Sequence, residues 1–456
     1  MSNKIKKLVN HMSGRTSALY FSKIEEDIKL LNEKTHNLEK RLNTIEQLIR
    51  DGLYNSEEER GYLSSEYIFN ALPRSQKKKI LVCGYYGARN CGDELMLQAI
   101  LKNVDTDKYD VTILLSVNHS LDSSYYYPYH VLHYPKKVDD CRYLAENYDA
   151  IVWGGGAVLD DSYYEYRGVN NDLAYILFTI TLLMLRMQKE AYIFGVSANR
   201  TLQNKKAIQD LQYIVNNATY FSLRDTNSKS TLESAGIVTS NIDIIDDLAL
   251  SLDFSNSSQS NKNGTTVNIG AVLMSTTRDD PGISTIIKNI ALAGRDYYKS
   301  KRIHLRLIPF FDQYHFDNEL YSNAIKNIDD ASMDGITITI EEQDFSPATI
   351  SRVFSECDII VSMRYHATLI AGGVLNRKVL SINQGNTHRH YYNKQKYIKD
   401  KYVKNLIEIP YEDSLNYEKL AKKLVAADRT NPKGMLPSTI TKTRRSINAK
   451  LSKYLG

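Results

Sequence analysis

The sequence has few cysteines, no long apolar run and only a small net charge. The 4 cysteines among 456 residues are scattered without CxxC spacing, which argues against a disulfide framework and a cysteine zinc site. The longest apolar run, residues 173–185, is too short to span a bilayer, and the N-terminus lacks the apolar core of a secretory signal. A net charge of +5 is too small to indicate a nucleic-acid-binding protein. We therefore expect a cytoplasmic globular protein with no nucleic-acid partner.

Residues 1–76 differ in pattern from the rest of the chain. Apolar residues recur there at alternating spacings of four and three, with Thr at one position: Ile24, Ile28, Leu31, Thr35, Leu38, Leu42, Ile45 and Ile49. This heptad pattern, flanked by Glu and Lys, is typical of a coiled coil. Two interpretations stay open, a coiled coil that makes the protein a homo-oligomer, or one amphipathic helix that packs on its own chain.

Residues 77–254 alternate between apolar strands and helical patterns. The predicted strands are 80–87, 111–116, 150–156, 191–197, 219–225 and 242–245. Helical patterns lie at about 93–103, 172–189, 203–217 and 226–235. Apolar strands that alternate with helices predict a parallel sheet covered on both faces. This segment is therefore predicted to be a Rossmann-like domain.

A second strand series follows a stretch of Ser, Asn and Gly at 255–266, which reads as a linker between domains. The strands of this series are predicted at 267–274, 303–310, 336–340, 357–363 and 378–382. The domain that they form is predicted to span 265–430. Two Rossmann-like domains joined by a linker predict an α/β fold of glycosyltransferase-B type, in which ligands bind between the carboxyl ends of the strands.

Two glycine-rich loops follow strands of the first domain. GYYGARNCGDELML (84–97) opens a helix, yet it has neither the P-loop lysine nor the dinucleotide spacing GxGxxG. Its Asp93 and Glu94 serve either as first-turn acids or as substrate contacts. WGGGAVLDD (153–161) implies that a helix or a ligand approaches the backbone closely. Asp160 and Asp161 lack metal-binding spacing, so no metal site is predicted.

Cationic residues follow strands at several places along the chain. Arg224 ends the strand FSLRD, Arg364 and His366 follow the strand 357–363, and Arg278 follows the strand 267–274. Because these strand ends meet at one cleft, the arginines are expected to form a pocket for phosphate or carboxylate. His366 can also carry a proton near neutral pH.

The C-terminal tail, residues 431–456, ends in a helical pattern with one apolar face. Ile447, Leu451 and Leu455 share that face, and Lys and Arg surround them. A basic amphipathic helix can lie on an anionic membrane surface. The alternative is a terminal helix in solvent.

These motifs, taken in order, resemble the polysaccharide pyruvyl transferase family. The similar segments are 84–94, 151–161, 221–237, 242–250 and 345–373, within about residues 79–400. The resemblance implies a donor, phosphoenolpyruvate, whose pyruvate is placed as a ketal on a sugar, with no further cofactor. It also implies a saccharide acceptor, either free or lipid-linked, and a site in the cytoplasm or at the inner face of the membrane.

The resemblance further implies roles for individual residues. His366 would be the general acid and would bind the donor together with Arg224 and Arg364. Lys394 would be the lysine of the family's donor site, and Tyr365 stands where the family often has Leu. Both are expected to contact the donor, and the strand-end Arg278 is added to them. The acceptor would face two loops, 87–94 and 154–161, through Asn90, Gly92, Asp93, Glu94, Gly155, Gly156 and Asp160.

Three functions remain to be separated on the sequence. The first is a pyruvyl transferase of surface-polysaccharide synthesis. The second is a glycosyltransferase that uses a nucleotide sugar, although no Glu-rich ribose-binding motif is evident in the second domain. The third is a scaffold without catalysis, which the joint presence of Arg224, Arg364 and His366 disfavours.

Overall fold

The structure is a computed structural model that describes residues 76–116, 126, 128–135, 138–160, 173–198, 202–254, 264–328, 333–383 and 389–456. All of them lie in one compact unit. The predicted N-terminal coiled coil lies outside the described residues, as does most of the predicted linker.

The first half of the described chain builds a parallel seven-stranded sheet in the order β3-β2-β1-β4-β5-β6-β7. Its strands are β1 (Lys78–Cys83), β2 (Tyr109–Leu115), β3 (His130–His133), β4 (Ala150–Gly154), β5 (Glu190–Val196), β6 (Tyr220–Leu223) and β7 (Asp243–Ile244). The central strands β1, β4 and β5 are buried apolar runs, because helices cover both faces of the sheet. The order reverses between β1 and β4, where ligands bind in sheets of this kind.

The second half builds a parallel six-stranded sheet in the order β10-β9-β8-β11-β12-β13. Its strands are β8 (Thr266–Val272), β9 (Arg302–Leu307), β10 (Ile336–Ile340), β11 (Ile359–Ser362), β12 (Lys378–Asn383) and β13 (Ile407–Pro410). The two-sheet parallel α/β architecture predicted from the sequence is confirmed. The edge strands β3 and β13 were not predicted, because polar residues interrupt their short apolar patterns, HVLH and IEIP.

The helices of the first half are α1 (Cys91–Leu101), α2 (Val138–Asn147), α3 (Leu173–Arg186), α4 (Lys205–Asn217) and α5 (Thr226–Ser234). Those that follow β8 are α6 (Pro281–Tyr298), α7 (Phe316–Lys326), α8 (Pro347–Glu356), α9 (Tyr365–Thr368), α10 (Arg389–Lys401), α11 (Tyr411–Ser414), α12 (Tyr417–Arg429) and α13 (Pro437–Leu455). Three of them begin with proline, which suits the first helical position because its missing N–H has no partner there anyway. Asp247 starts a short 3-10 helix, Leu248–Ser251.

The C-terminal helix α13 returns to the first half of the chain. Its Tyr454 ring stacks on Tyr220 with centroids 4.5 Å apart, and the backbone N–H of Asp105 donates to Leu455 O at 2.8 Å. Ile447, Leu451 and Leu455 are buried. Protein therefore covers the apolar face on which the membrane interpretation of this helix depends.

No helix in the described part of the chain is both long enough and apolar enough to span a membrane. The apolar helix α3 has 14 residues and packs in the core of the first half. Trp153 of β4 is buried beside α3, and its Nε1 donates a hydrogen bond to Thr181 Oγ1 of this helix at 3.0 Å.

Candidate active site

A cavity of about 340 Å³ lies where the carboxyl ends of strands from both halves meet. This volume suits a small ligand. Its lining residues come from both halves: Tyr85, Asn90, Gly92, Asp93, Met96, Gly156, Ala157, Val158, Arg224, Met274, Phe310, Arg364, Tyr365, His366 and Lys394. The structure thus brings together most of the site residues predicted from the sequence.

Two glycines at the end of β4 make room for side chains of the first half. A Cβ atom at Gly154 would lie 2.0 Å from the hydroxyl oxygen of Tyr86, and one at Gly155 would lie 2.4 Å from Met96 Sδ. The Tyr86 hydroxyl itself donates to Gly154 O at 2.7 Å. The glycines predict that another group approaches the backbone closely. At these two positions that group is a neighbouring side chain. Gly156, with φ +83, does line the cavity.

The imidazole of His366 lies against Gly92, at the start of α1. A Cβ atom at position 92 would be 1.8 Å from His366 Nδ1, so any side chain there would displace the ring. The other ring nitrogen, Nε2, lies 3.3 Å from both carboxylate oxygens of Asp247. A carboxylate only accepts hydrogen bonds, so Nε2 carries a proton and Nδ1 is left on the Gly92 side.

Asp247 joins the histidine to one of the arginines. It is fully buried, and its Oδ2 accepts a hydrogen bond from Arg224 Nη1 at 3.2 Å while Oδ1 accepts from Ala249 N at 3.1 Å. Burial alone would raise the pKa of Asp247, but the contacts with His366, Arg224 and the Ala249 N–H outweigh it and hold that pKa well below its usual range. A permanent carboxylate therefore orients both the Arg224 guanidinium and the His366 imidazole.

The guanidinium of Arg224 is fixed at the cavity wall by several neighbours. Besides Asp247, its Nε lies 3.6 Å from Asp225 Oδ2, and the group stacks on the Tyr365 ring at 4.7 Å from the centroid. The Tyr397 hydroxyl donates to the backbone carbonyl of Arg224 at 3.2 Å. The side chain is buried except where it lines the cavity.

Arg364, at the end of β11, is anchored by a buried carboxylate. Its Nη2 donates to both oxygens of Asp317 at 2.9 and 3.1 Å, and Asp317 Oδ2 also accepts from the N–H groups of Phe310 and Phe311 at 2.9 and 2.8 Å. Burial raises the pKa of Asp317, and the Arg364 guanidinium opposes that rise. Arg364 Nε has no hydrogen-bond partner among the described residues, so part of its donor capacity remains unused.

Two more ionisable groups face the same cavity and have pKa values near neutrality. Burial and the neighbouring Arg224 charge lower the pKa of Lys394 to about 7, against the attraction of the Asp93 carboxylate. Burial raises the pKa of Asp93 to about 6, against the opposing charges of His366 and Lys394. Groups with such pKa values can exchange protons at physiological pH.

The structure places Glu94 beneath the loop that follows β1, away from the cavity. Its carboxylate accepts from Gly87 N at 3.0 Å and from the Tyr126 hydroxyl at 3.1 and 3.2 Å. Burial raises its pKa to about 7, although these two donors oppose the rise. These contacts hold the Gly84–Asn90 turn in place. The acceptor contact predicted for Glu94 gains no support from this position.

Arg278 and Asp160, also predicted as site residues, do not line the cavity. Arg278 pairs with the exposed Glu319 at 3.0 Å and lies over the Phe316 ring. Asp160 is buried beyond Val158. Among the residues that the structure describes, no group of three or more His, Cys, Asp or Glu side chains is placed to bind a metal ion.

The acidic partners of the cationic groups were not found from the sequence. Asp247 belongs to the segment IDIIDDLAL and Asp317 follows β9, yet neither position carries a local signal that pairs it with an arginine. Each pair joins residues far apart in the chain, so only the folded structure brings the partners together. The one hint in the sequence was that each acid follows a predicted strand, as the arginines do.

Comparisons with known proteins bear on both the family and the fold. The family model for polysaccharide pyruvyl transferases matches residues 90–373, whereas no curated protein matches the chain. The structure is similar to the UDP-GlcNAc 2-epimerase of Methanocaldococcus jannaschii, with a TM-score of 0.51 at 12% identity over 83% of this chain and 100% of that one. The same enzyme in complex with UDP-GlcNAc and UDP gives a TM-score of 0.50 at 12% identity over the same shares. At this identity the likeness concerns the fold alone, which is glycosyltransferase-B-like.

Proposed function

Because the chain belongs to the polysaccharide pyruvyl transferase family, we propose that it transfers the pyruvate unit of phosphoenolpyruvate to two hydroxyl groups of one sugar. The sugar belongs to a surface polysaccharide or to its precursor. The product is a cyclic ketal, and inorganic phosphate is released. Phosphoenolpyruvate is consumed as a co-substrate, and the scheme needs no cofactor.

One observation carries this proposal, namely that Arg224, Arg364 and His366 line a single small cavity although they come from different halves of the fold. Phosphoenolpyruvate bears a phosphate and a carboxylate on three carbons. A guanidinium group can form two parallel hydrogen bonds with either a phosphate or a carboxylate, so two arginines suit these two anionic groups. Lys394 adds a cation whose charge state responds to the ligand, and the Tyr365 ring keeps Arg224 in position.

The histidine supplies the acid that the reaction requires. Transfer of pyruvate begins when the methylene carbon of the donor gains a proton, because the adjacent carbon then becomes electrophilic. His366 lines the cavity and is held through Nε2 by Asp247, so its acid form is the ring protonated on both nitrogens, which donates the proton of Nδ1. A positioned acid contributes roughly 10²–10⁴-fold to a rate, and the fixed positive charges stabilise the departing phosphate.

The acceptor sugar enters from the side of the two loops that follow β1 and β4. Asn90, Gly92, Asp93 and Gly156 line this wall of the cavity. We further propose that the enzyme works in the cytoplasm, at the inner face of the membrane when the acceptor is lipid-linked. The N-terminal heptad segment would join copies into a homo-oligomer.

The direct test is acceptor-dependent phosphate release. Purified protein is incubated with phosphoenolpyruvate and the methyl glycosides of glucose, galactose and mannose, free or carried on a polyprenyl diphosphate, and phosphate is measured. We expect release that requires both substrates. We also expect His366→Ala to abolish it while phosphoenolpyruvate binding, measured by calorimetry, is weakened but detectable, and Arg364→Ala to raise the donor concentration required.

Three outcomes distinguish the candidate functions. Release with phosphoenolpyruvate supports the pyruvyl transferase. Turnover of a nucleotide sugar in its place supports a glycosyltransferase, the function that shares this fold type. Absence of turnover together with absence of phosphoenolpyruvate binding refutes the enzyme and leaves the scaffold. Full activity in His366→Ala would contradict the acid assignment alone.

A further inference from the structure

Two polar side chains at the start of α1 line the cavity and form no hydrogen bond with the residues that the structure describes. Asn90 is the N-cap residue of the helix, a position where asparagine commonly accepts a hydrogen bond from the helix backbone, yet its side chain makes no such bond. The Asp93 carboxylate likewise forms no hydrogen bond with the described residues and lies beside Gly156. The two positions are three residues apart, so they share one face of the helix.

The Asp93 carboxylate lies within a set of charged groups contributed by several elements. The neighbours that act on it are His366 from α9, Lys394 from α10, Arg224 after β6 and Asp247 before the 3-10 helix, and on its own side of the site Tyr86 and Glu94. The cations keep the carboxylate ionised near neutral pH despite its partial burial. It is therefore a base placed next to the proposed acid.

The proposed reaction requires a second proton-transferring group. Forming the ketal removes a proton from each of two hydroxyls, while one proton goes to the methylene carbon and one to the leaving phosphate. His366 must hold its proton for the carbon when the first hydroxyl attacks. It cannot accept the proton of that hydroxyl at the same moment.

We propose that Asp93 is the general base that accepts the proton of the first attacking hydroxyl, and that Asn90 holds the second hydroxyl of the same sugar. This inference rests on the proposed function and assigns the acceptor as a diol bound across the face of α1. The acceptor is thus a sugar that presents two free hydroxyls a short distance apart. Gly92, between the two residues, leaves the space that His366 occupies.

The proton balance closes with these two residues alone. In the first step, the hydroxyl oxygen forms a bond to the central carbon of the donor, its proton passes to Asp93, and the electron pair of the carbon–carbon double bond takes the proton of His366. In the second step, the bond from carbon to phosphate oxygen breaks, and the phosphate leaves with the electron pair and the proton from Asp93. The second hydroxyl then attacks the resulting cation and returns a proton to His366. Asp93 and His366 thus return to the protonation states in which they started.

The test compares Asp93→Asn with the wild-type enzyme at saturating phosphoenolpyruvate. Asparagine keeps the shape but cannot accept the proton, so we expect the kcat for acceptor-dependent phosphate release to fall roughly 10²–10⁴-fold. Donor binding, measured by calorimetry, should be unchanged or tighter, because a negative charge is removed from beside an anionic ligand. The wild-type enzyme should lose rate at acidic pH as the Asp93 carboxylate, with its pKa of about 6, gains a proton, and the residual activity of Asp93→Asn should lack this loss. Asp93→Glu should restore part of the rate.

The matched control is Glu418→Gln, which neutralises an exposed first-turn acid of α12 and should leave the rate unchanged. Wild-type turnover with an Asp93→Asn variant of equal kcat would overturn the role of Asp93 while the proposed function stands. A variant that loses donor binding together with turnover would show a structural role instead. Absence of turnover in the wild-type protein would refute the proposed function itself.

Discussion

At the scale of single residues, Lys394 links the charge of the cavity to its ligand. Its pKa is lowered to about 7 by burial and by Arg224, so at pH 8 most of the molecules carry a neutral lysine. A bound ligand with two anionic groups favours the ammonium form and raises that pKa. Binding should then take up close to one proton at pH 8. At pH 6 the lysine is already charged, and this uptake should vanish.

Calorimetry of phosphoenolpyruvate binding in two buffers of different ionisation enthalpy measures this proton uptake. Lys394→Met should remove most of the uptake at pH 8 and weaken binding most at pH 6, where the wild-type lysine is charged. Lys396→Met is the control, because it changes an exposed lysine of the same helix and should leave the uptake unchanged. Equal uptake in Lys394→Met and wild type would contradict the assignment of the proton to this lysine.

The single-residue level also shows where prediction from sequence ends. Arg224, Arg364 and His366 could be selected because each follows an apolar strand, and parallel strands end at a common edge. Asp247 and Asp317 could not, since the bonds that they form are set by how loops from different strands pack together. Arg278 satisfied the same strand-end criterion, but its loop directs it to an exposed ion pair with Glu319.

At the scale of elements, helix α13 supports the turn that carries Asp247. Its buried Leu451 belongs to the same apolar cluster as Leu248, Ala249 and Leu250 of the 3-10 helix. Lys450 Nζ also pairs with Asp243 Oδ2 at 2.6 Å. The position of the carboxylate that orients His366 and Arg224 thus depends on a helix from the far end of the chain.

Leu451→Ala tests this dependence. We expect it to lower the free energy of unfolding by about 2–5 kcal/mol, as for other buried leucines, and to weaken phosphoenolpyruvate binding because the turn at Asp247 loosens. Leu436→Ala makes the same chemical change at the start of the same helix, where the leucine is 68% exposed, and should have little effect. Chemical denaturation and calorimetry give the two quantities. Unaltered stability in Leu451→Ala would mean that the helix does not hold this region.

Elements differ in how far the sequence predicts them. The central strands are recognisable because burial on both faces requires an apolar run, such as IIVS in β11. The edge strands β3 and β13 have the sequences HVLH and IEIP. Their polar residues suit a partly exposed strand, but they interrupt the apolar run by which a strand is recognised. The apolar face of α13 was predicted from the spacing of its apolar residues. The surface on which this face packs was not predicted, because it depends on how the end of the chain folds back onto the first half.

At the scale of the whole molecule, the site exists only because two sheets place their strand ends on opposite walls of one cavity. The loops after β1, β4 and β6 form one wall and those after β8, β9 and β11 the other. Contacts such as the bond from Gln98 Nε2 to Phe345 O at 3.3 Å and the Arg89–Asp312 pair at 3.3 Å join the walls. The alternation of strands and helices predicts each half. The convergence of the two halves on one ligand was inferred only from the fold type.

The heptad segment lies outside the described residues, and its role stays a prediction. Since the family match begins at residue 90, deleting residues 1–60 should keep acceptor-dependent phosphate release but lower the mass measured by light scattering to that of a single copy. In the full chain, Leu31→Asp with Leu38→Asp places charges on the apolar seam and should give the same mass. Asn32→Asp with Lys40→Asp places the charges beside the seam and should preserve the oligomer. An unchanged mass after the deletion would mean that the helix packs on its own chain or has another role.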